Sequence, residues 1–483
     1  MSDESGVSNP PVKTPSLLDA LVPVVALLCL LSLSYYLFRD DASYGPNQIA
    51  LLFCALIAMA VAFKNGMSID GIRQAVVGGI STGLAAILIL LAVGALIGAW
   101  AMSGTISTMV YYGLKVLSPS YFYATAAIIC GIVGFTVGSS WTVAGTIGIG
   151  MMGIAHSMQL SPAITAGAVI SGAYFGDKAS PLSDTANLAS AAAGANLFDH
   201  IRESLWTSVP SLMLAVALFA LLGEPGNLDA SPVLATMRAH ATVSLWTLLP
   251  LAVVVVLALL RFPPFVTIFI GALVGGGQAV ITAPDSVLAL AGDSDIPTVL
   301  AYVKGVWAAI ATGFTADSGN ARVDELLSRG GMASMLNTVW LIITALAFGA
   351  VVEHAGLLQR LVGPLIARAR SAGALVSSVV ATSFGTNVLA SDQYIAIVLP
   401  ARLFRPTFEK RGYAPVMLSR VVGDSATVTS PLIPWNSCGA YMAAALGSST
   451  IAFAPFCFFN LLNPLLTVLF SFIGFRVLRA SRG

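Results

Sequence analysis

Charge is what this sequence has least of. Asp, Glu, Lys and Arg make up 9% of its 483 residues, whereas a soluble protein carries about 25%. Together with 57% hydrophobic residues and a mean hydropathy of +0.88, that scarcity excludes a water-soluble globule. The formal net charge is only +1 and no basic patch gathers outside the loops, which argues against a nucleic-acid partner. Cysteine is also sparse. Cys29, Cys54, Cys130, Cys438 and Cys457 are scattered through apolar runs without paired spacing, so neither a disulfide framework nor a zinc site is indicated and they read as small buried hydrophobes. The opening MSDESGVSNPPVKTPS runs into a long apolar stretch with no small-residue cleavage site. Residues 1–16 are therefore expected to be a disordered cytoplasmic tail before a retained first helix, not a signal peptide.

What is there instead is a succession of apolar runs, each to be compared with the roughly 20 residues that cross a bilayer. Residues 17–38, 46–63 and 74–100 are expected spans, 104–117 an interfacial segment, 121–158 a hairpin of two half-spans meeting at a polar turn, 162–196 a broken helix and 200–222 a further span. The order then recurs. Spans at 242–260 and 263–283 lead into a long loop, 284–331, with an interfacial helix near 303–314; a span at 332–352, an interfacial segment at 356–370, a hairpin at 372–404, a broken helix at 414–447 and a last span at 450–478 follow. The expected fold is an all-α polytopic membrane protein with about ten transmembrane helices, two re-entrant hairpins and two broken helices. Residues 17–223 form one repeat and 242–483 the other, joined by a linker at 224–241.

Lys and Arg collect at Lys64 and Arg73, at Arg402, Arg405, Lys410 and Arg411, and at Arg476, Arg479 and Arg482, which assigns those ends and both termini to the cytoplasm. An odd number of spans per half makes the repeats inverted.

The few charges inside apolar sequence carry the functional signal. In PAITAGAVISGAYFGDKASPLSDTAN, residues 162–187, Asp177, Lys178 and Asp184 lie in a run otherwise fit for lipid, where a charge costs roughly 2.5 to 3.5 kcal/mol and so lines an ion path, pairs, or faces water. Pro181 cannot donate to the carbonyl of Asp177, leaving backbone and carboxylate oxygens free together. Ser180-Pro181-Leu182 is answered by Ser430-Pro431-Leu432, and Gly176-Asp177 by Gly423-Asp424. Pro431 frees the carbonyl of Thr427 in the same way. Two interrupted segments in corresponding halves point to a transporter's binding site.

Hard cations take oxygen ligands, so the candidate ion-binding residues are Asp177, Ser180, Asp184, Thr185, Asn187, Asp392, Asp424 and Thr427. Ser139, Ser140, Thr142, Thr386, Asn387, Thr429, Ser430, Trp435 and Asn436 are candidates for solute contact, the later ones because a half-helix N-terminus gathers N–H groups that favour an anion. Each has a structural alternative. Asp177 could pair with Lys178, Asp184 and Asp392 could be N-caps, and Asp424 could bridge to Arg420 four residues earlier. The neutral groups could serve only to satisfy unwound backbone. His156, Glu353 and His354 read as interfacial.

The strings FGDKASPLSDTANLA (175–189), GTNVLASDQYIAIVLPARLF (385–404) and VVGDSATVTSPLIPWNSCGAYM (421–442) resemble the NhaC family of sodium/proton antiporters, with Ala426 standing where the family would have glycine. The resemblance implies a secondary antiporter of the plasma (bacterial inner) membrane that exchanges sodium for protons or for a small organic acid by alternating access, without a cofactor, as a homodimer whose transport domain moves like an elevator. A sodium-coupled transporter of organic or amino acids without net proton exchange is the nearest alternative. An intramembrane aspartyl protease using Asp177 and Asp424 lacks the Gly-x-Gly-Asp spacing, since 174–177 reads Tyr-Phe-Gly-Asp and 421–424 Val-Val-Gly-Asp; a channel is disfavoured by two broken repeats.

Overall fold

The structure is a computed structural model that describes residues 14–223, 242–292, 295–316 and 330–480, with positions 234, 235, 238, 239, 324 and 328. Most of the expected tail and linker therefore lies outside the described residues.

Helices α1 (Leu17–Phe38) and α2 (Pro46–Lys64) pack together. Ser16 caps α1 by accepting from Asp19 N–H at 3.1 Å, and the Asp19 carboxylate accepts both from Ser16 N–H at 3.1 Å and from Lys64 at the far end of α2 at 2.6 Å. One carboxylate thus closes a helix start and ties it to its neighbour's end.

The run expected as a single span at 74–100 is two helices, α3 (Ile69–Thr82) and α4 (Leu84–Met102). Ser81 and Thr82 turn their hydroxyls back onto the carbonyls of Val77 and Gly79, and at Gly83 a Cβ would lie 2.2 Å from Leu346 Cδ1. Close approach by another helix, with hydroxyls competing for the carbonyls, breaks the run there.

A left-handed Gly104 (φ +80) separates α4 from α5 (Thr105–Val116). The first hairpin runs up α6 (Phe122–Val137), turns at left-handed Gly138 (φ +73) and returns through α7 (Ser140–Val143), a π turn at Ala144–Gly148 and α8 (Ile149–Ser157). The first broken element is α9 (Pro162–Ala179) with α10 (Asp184–Ala193), and α11 (Leu197–Leu221) follows.

Then come α12 (Leu249–Leu259) and α13 (Pro264–Thr282). The stretch expected as a loop at 284–331 holds α14 (Pro284–Ala291) and α15 (Thr298–Thr312), the second longer than expected. Next, α16 (Leu336–His354) and α17 (Leu357–Arg368) meet at left-handed Gly356 (φ +71), as α4 and α5 meet at Gly104. The second hairpin is α18 (Ala372–Ala390) and α19 (Gln393–Lys410), turning at left-handed Ser391 (φ +58). The second broken element is α20 (Pro415–Val422), a π turn at Gly423–Thr427, a short 3-10 turn at Ser430–Leu432 and α21 (Ser437–Leu446). Finally α22 (Thr450–Phe453) leads to α23 (Phe458–Phe472).

Among the described residues, eight helices are long and apolar enough to cross a membrane, or nine if the pair bent by 54° at Cys457 is one span. The helices of the broken elements are not among these, and Leu245–Leu259 is too short, whereas the first arms of both hairpins are among them. This is a multi-pass helical membrane protein.

Lipid gives apolar helices no hydrophobic reason to associate, so contact rests on close backbone approach. Gly172 and Gly176 of α9 provide it: a Cβ at either would lie 2.1 Å from Ala127 O or 2.4 Å from Phe135 N of α6. On this pair pack α11 and α23, the second hairpin packs on α10, α23 and the second broken element, and α1–α4 pack with α13, α15 and α16.

Candidate functional site

Two breaks and two hairpin turns supply the polar residues. At the first break Ser180 is extended (ψ 135), Pro181 follows, and Ser183 caps α10 by accepting from Ala186 N–H at 3.2 Å. Asp177, in the last turn of α9, is buried and faces this gap. Its Oδ2 accepts from Ser140 Oγ at 2.7 Å and Ser140 N–H at 3.2 Å, and its Oδ1 from Ser183 Oγ at 2.5 Å and Thr185 Oγ1 at 3.4 Å. Ser140 begins the returning arm of the first hairpin, whose cap Ser139 accepts from Thr142 N–H and hydroxyl at 3.2 and 3.0 Å. Hairpin turn and helix break thus converge on one carboxylate. Among the described residues Asp177 makes no salt bridge, so the expected alternative of a pair with Lys178 is not what is seen.

The other expected ion residues divide. Thr185 belongs to the Asp177 group; Asp184 does not. It is exposed and accepts from the Tyr394 hydroxyl of α19 at 2.6 Å. Asn187 is exposed and donates to Ser183 O at 2.7 Å, and Ser180 Oγ accepts from Leu182 N–H at 3.2 Å. Asp392 caps α19, accepting from Ile395 N–H at 2.9 Å. The Thr427 carbonyl freed by Pro431 is occupied, since Ser430 Oγ donates to it at 2.8 Å. Ser183, the most direct hydroxyl partner of Asp177, was missed by the sequence reading; its position as first cap after Ser-Pro-Leu was the available signal.

At the second break Asn387 donates to Ala426 O at 2.7 Å and Thr429 Oγ1 at 3.0 Å, while Asn436 donates to the Asn387 carbonyl at 3.1 Å and its side-chain oxygen at 3.2 Å. Trp435 Nε1 donates to Val388 O at 2.7 Å. Thr386 is turned back into its own helix, onto Thr382 O at 2.8 Å. The two groups are joined where the Trp141 ring stacks on Tyr441, centroids 4.1 Å apart, and the Tyr441 hydroxyl donates to Trp141 O at 2.7 Å.

Asp424, a candidate ion ligand whose structural alternative was a bridge to Arg420, is ion-paired with Arg420 at 3.8 Å, but its hydrogen-bonded cation is Lys178, from the other broken element. Thr207 of α11 donates to both carboxylate oxygens at 2.9 and 3.0 Å, and Thr467 of α23 donates to Oδ2. Lys178 also donates to Ser208 Oγ at 2.7 Å and Asn463 Oδ1 at 3.2 Å. Arg420 Nε stands 3.8 Å off, beyond a hydrogen bond. Asp177 and Asp424 thus have separate partners and share no hydrogen bond, so the pair lacks the shared proton of an aspartyl-protease dyad.

Interrupted helices set against hairpin turns in an apolar helical protein, with buried carboxylates at the interruptions, match the construction of an ion-coupled secondary transporter. Residues 172–475 match the Na+/H+ antiporter family. The chain is 38% identical to the Na+/H+ antiporter NhaC of Alkalihalophilus pseudofirmus over 89% of this chain and 91% of that one. It is 34% identical to Na+/H+ antiporter NhaC of Bacillus subtilis over 93% and 96% of the two chains, and 33% identical to the malate-2H+/Na+-lactate antiporter of that organism over 96% of each. The chain belongs to the Na+/H+ antiporter family, of the NhaC kind.

Proposed function

We propose that this protein exchanges sodium for protons across the plasma (bacterial inner) membrane, with Asp177 as the residue that binds the two ions in turn. The observation that carries the reading is a buried carboxylate surrounded by Ser140, Ser183 and Thr185 and, among the described residues, without a cationic partner. Sodium is a hard cation suited to carboxylate and hydroxyl oxygens. A carboxylate in lipid is costly unless it is compensated, by a bound cation or by a proton. Occupancy by either is therefore favoured over the bare anion, which makes the two ions competitors at one place.

The recurring order of helix, left-handed glycine, amphipathic helix, hairpin and broken helix supports two repeats, and the Lys and Arg distribution supports their inversion with both termini inside. In this proposal α1–α4 with α12–α16 form the fixed part, the hairpins and broken helices move, and two copies associate. Exchange with a small organic acid is a second reading, supported by the similarity to the malate-2H+/Na+-lactate antiporter and by the uncharged Asn387, Thr429, Asn436 and Trp435 beside the second break.

The test is purified protein in liposomes, with internal pH and radioactive sodium followed while sodium, malate and lactate gradients are varied. Proton movement driven by sodium alone is the expected result. Sodium flux that requires an organic acid and moves no protons would replace this reading by the second.

A further inference from the structure

Helix α11 carries a polar stripe where a membrane helix should be apolar. His200, Glu203, Ser204, Thr207, Ser208 and Ser211 are all buried, and their spacing places them on one face. The inner part of the stripe is accounted for: Thr207 and Ser208 bond the Asp424 and Lys178 pair, and Ser211 accepts from Asn463 at 3.2 Å. The outer part is not. His200 Nε2, Glu203 Oε2, Ser204 Oγ and all three guanidinium nitrogens of Arg420 are buried without a hydrogen-bond partner among the described residues, and so is Arg476 Nε. Arg420 itself is fully buried.

These groups form a line from the surface inward. Arg476, 26% exposed, lies 3.5 Å from Glu203 Oε1, Glu203 Oε2 lies 4.0 Å from Arg420, and Arg420 lies 3.8 Å from Asp424. His200 is fixed by a 2.6 Å bond between its Nδ1 and Ser419 Oγ, leaving Nε2 to face the π turn. There His200 Nε2 and Lys178 Cε are both 3.6 Å from the place a Cβ on Gly423 would take. The charged groups around His200 are Lys178 on α9, Glu203 on its own helix, Arg420 and Asp424 on the second broken element, and Arg476 after α23.

Donors and acceptors are mixed along this line, which suits water better than a bare anion, since Glu203 would repel one. Ionisable groups within a membrane segment characteristically mark proton relays. We propose that the stripe is a hydrated proton-access branch, in which Glu203 and His200 pass protons between the surface and the Lys178–Asp424 pair, and that the end of α9, which carries both Lys178 and Asp177, couples the protonation of this pair to the sodium/proton exchange at Asp177. A proton taken from bulk water by Glu203 moves through water to His200 Nε2 and then to the Asp424 carboxylate. Glu203 and His200 return to their starting states, and Lys178 keeps its proton but loses its counter-charge. This rests on the sodium/proton reading above.

Two fluxes separate the branch from a structural role. Sodium-for-sodium self-exchange in liposomes needs no proton, whereas sodium-driven proton movement does. Glu203→Gln and His200→Gln should each slow sodium-driven proton movement by about tenfold or more and alter its pH profile, while self-exchange of radioactive sodium stays near that of the unmodified protein. Glu203→Asp, which retains a proton carrier, should recover much of the proton flux. Unchanged proton flux in both Gln variants would overturn the branch. So would equal loss of both fluxes with Glu203→Asp no better than Glu203→Gln. An unmodified protein that moves sodium but no protons would overturn the antiport reading and the branch with it, a result seen before any substitution is compared.

Discussion

Lys178, at the end of α9, donates a hydrogen bond to Asp424 in the π turn of the other broken element, joining positions 246 residues apart. The residue before it, Asp177, points to a different side, since consecutive helical side chains diverge by about 100°. One helix end therefore presents a carboxylate to the first hairpin turn and an ammonium to α11, α23 and the second half. Anything that moves the end of α9 disturbs both groups at once, which is a physical basis for coupling between them.

The pair makes its own prediction. Both side chains are buried, and removing one member of a buried pair strands the other at a cost of about 3 to 5 kcal/mol. Asp424→Asn should lower the thermal melting point of detergent-purified protein strongly. Lys178→Gln combined with Asp424→Asn should regain much of it, whereas Arg420→Gln combined with Asp424→Asn should not. Stability recovered by the Arg420 combination alone would assign the pair to Arg420.

How much of this could be read in the sequence depends on whether the signal was local. The limits of α1 matched its apolar run, 17–38, where the Ser16 cap marks the start. Both breaks were visible as Ser-Pro-Leu, since proline withholds a donor whatever surrounds it. The hydrogen-bonded partner of Asp424 was not visible. Four-residue spacing pointed to Arg420, which does stand 3.8 Å from Asp424, but the cation that bonds it comes from the end of α9. The contact of Asp184 with Tyr394 of α19 had no local signal either, since it joins positions far apart in the chain. Lys178–Asp424 is a tertiary contact, and no spacing rule reaches across two halves of a chain.

Packing of α9 on α6 gives a prediction about stability. At Gly172 a Cβ would meet Ala127 O at 2.1 Å, and a backbone oxygen cannot swing aside as a side chain can. Gly172→Val should destabilise by about 3 kcal/mol, at the upper end of the range for overpacking. Gly78 in α3 has nothing within 4 Å of that position, so Gly78→Ala should be neutral or stabilising by up to about 1 kcal/mol. Fluorescence-detected melting of both variants in one detergent measures the contrast; equal melting points would refute the close contact.

Orientation is tested by labelling. Cys29 is exposed and the other four cysteines are buried, so a Cys29→Ser background is suitable. Ser2→Cys and Arg482→Cys should both resist a membrane-impermeant thiol reagent in intact cells and react after the cells are opened. Labelling of one terminus only in intact cells would remove the inverted arrangement.

Asp177 and Asp184 provide the sharpest comparison, because the same substitution at the two should have opposite results. Asp177 is buried and accepts from three hydroxyl groups and one backbone N–H. Asp177→Asn keeps the size and one oxygen but can no longer bind a proton or supply a full negative charge to sodium. Sodium-driven proton movement should fall to background, and sodium should no longer raise the melting point, while the protein still inserts and elutes as a single species. Asp184 is exposed and serves Tyr394 as an acceptor at 2.6 Å, a role the Asn carbonyl can fill with a loss of about 1 kcal/mol. Asp184→Asn should therefore keep near-normal flux and the sodium-dependent rise in melting point. If Asp184→Asn abolishes both while Asp177→Asn leaves them intact, the cation site lies at the exposed start of α10 and not at the buried end of α9.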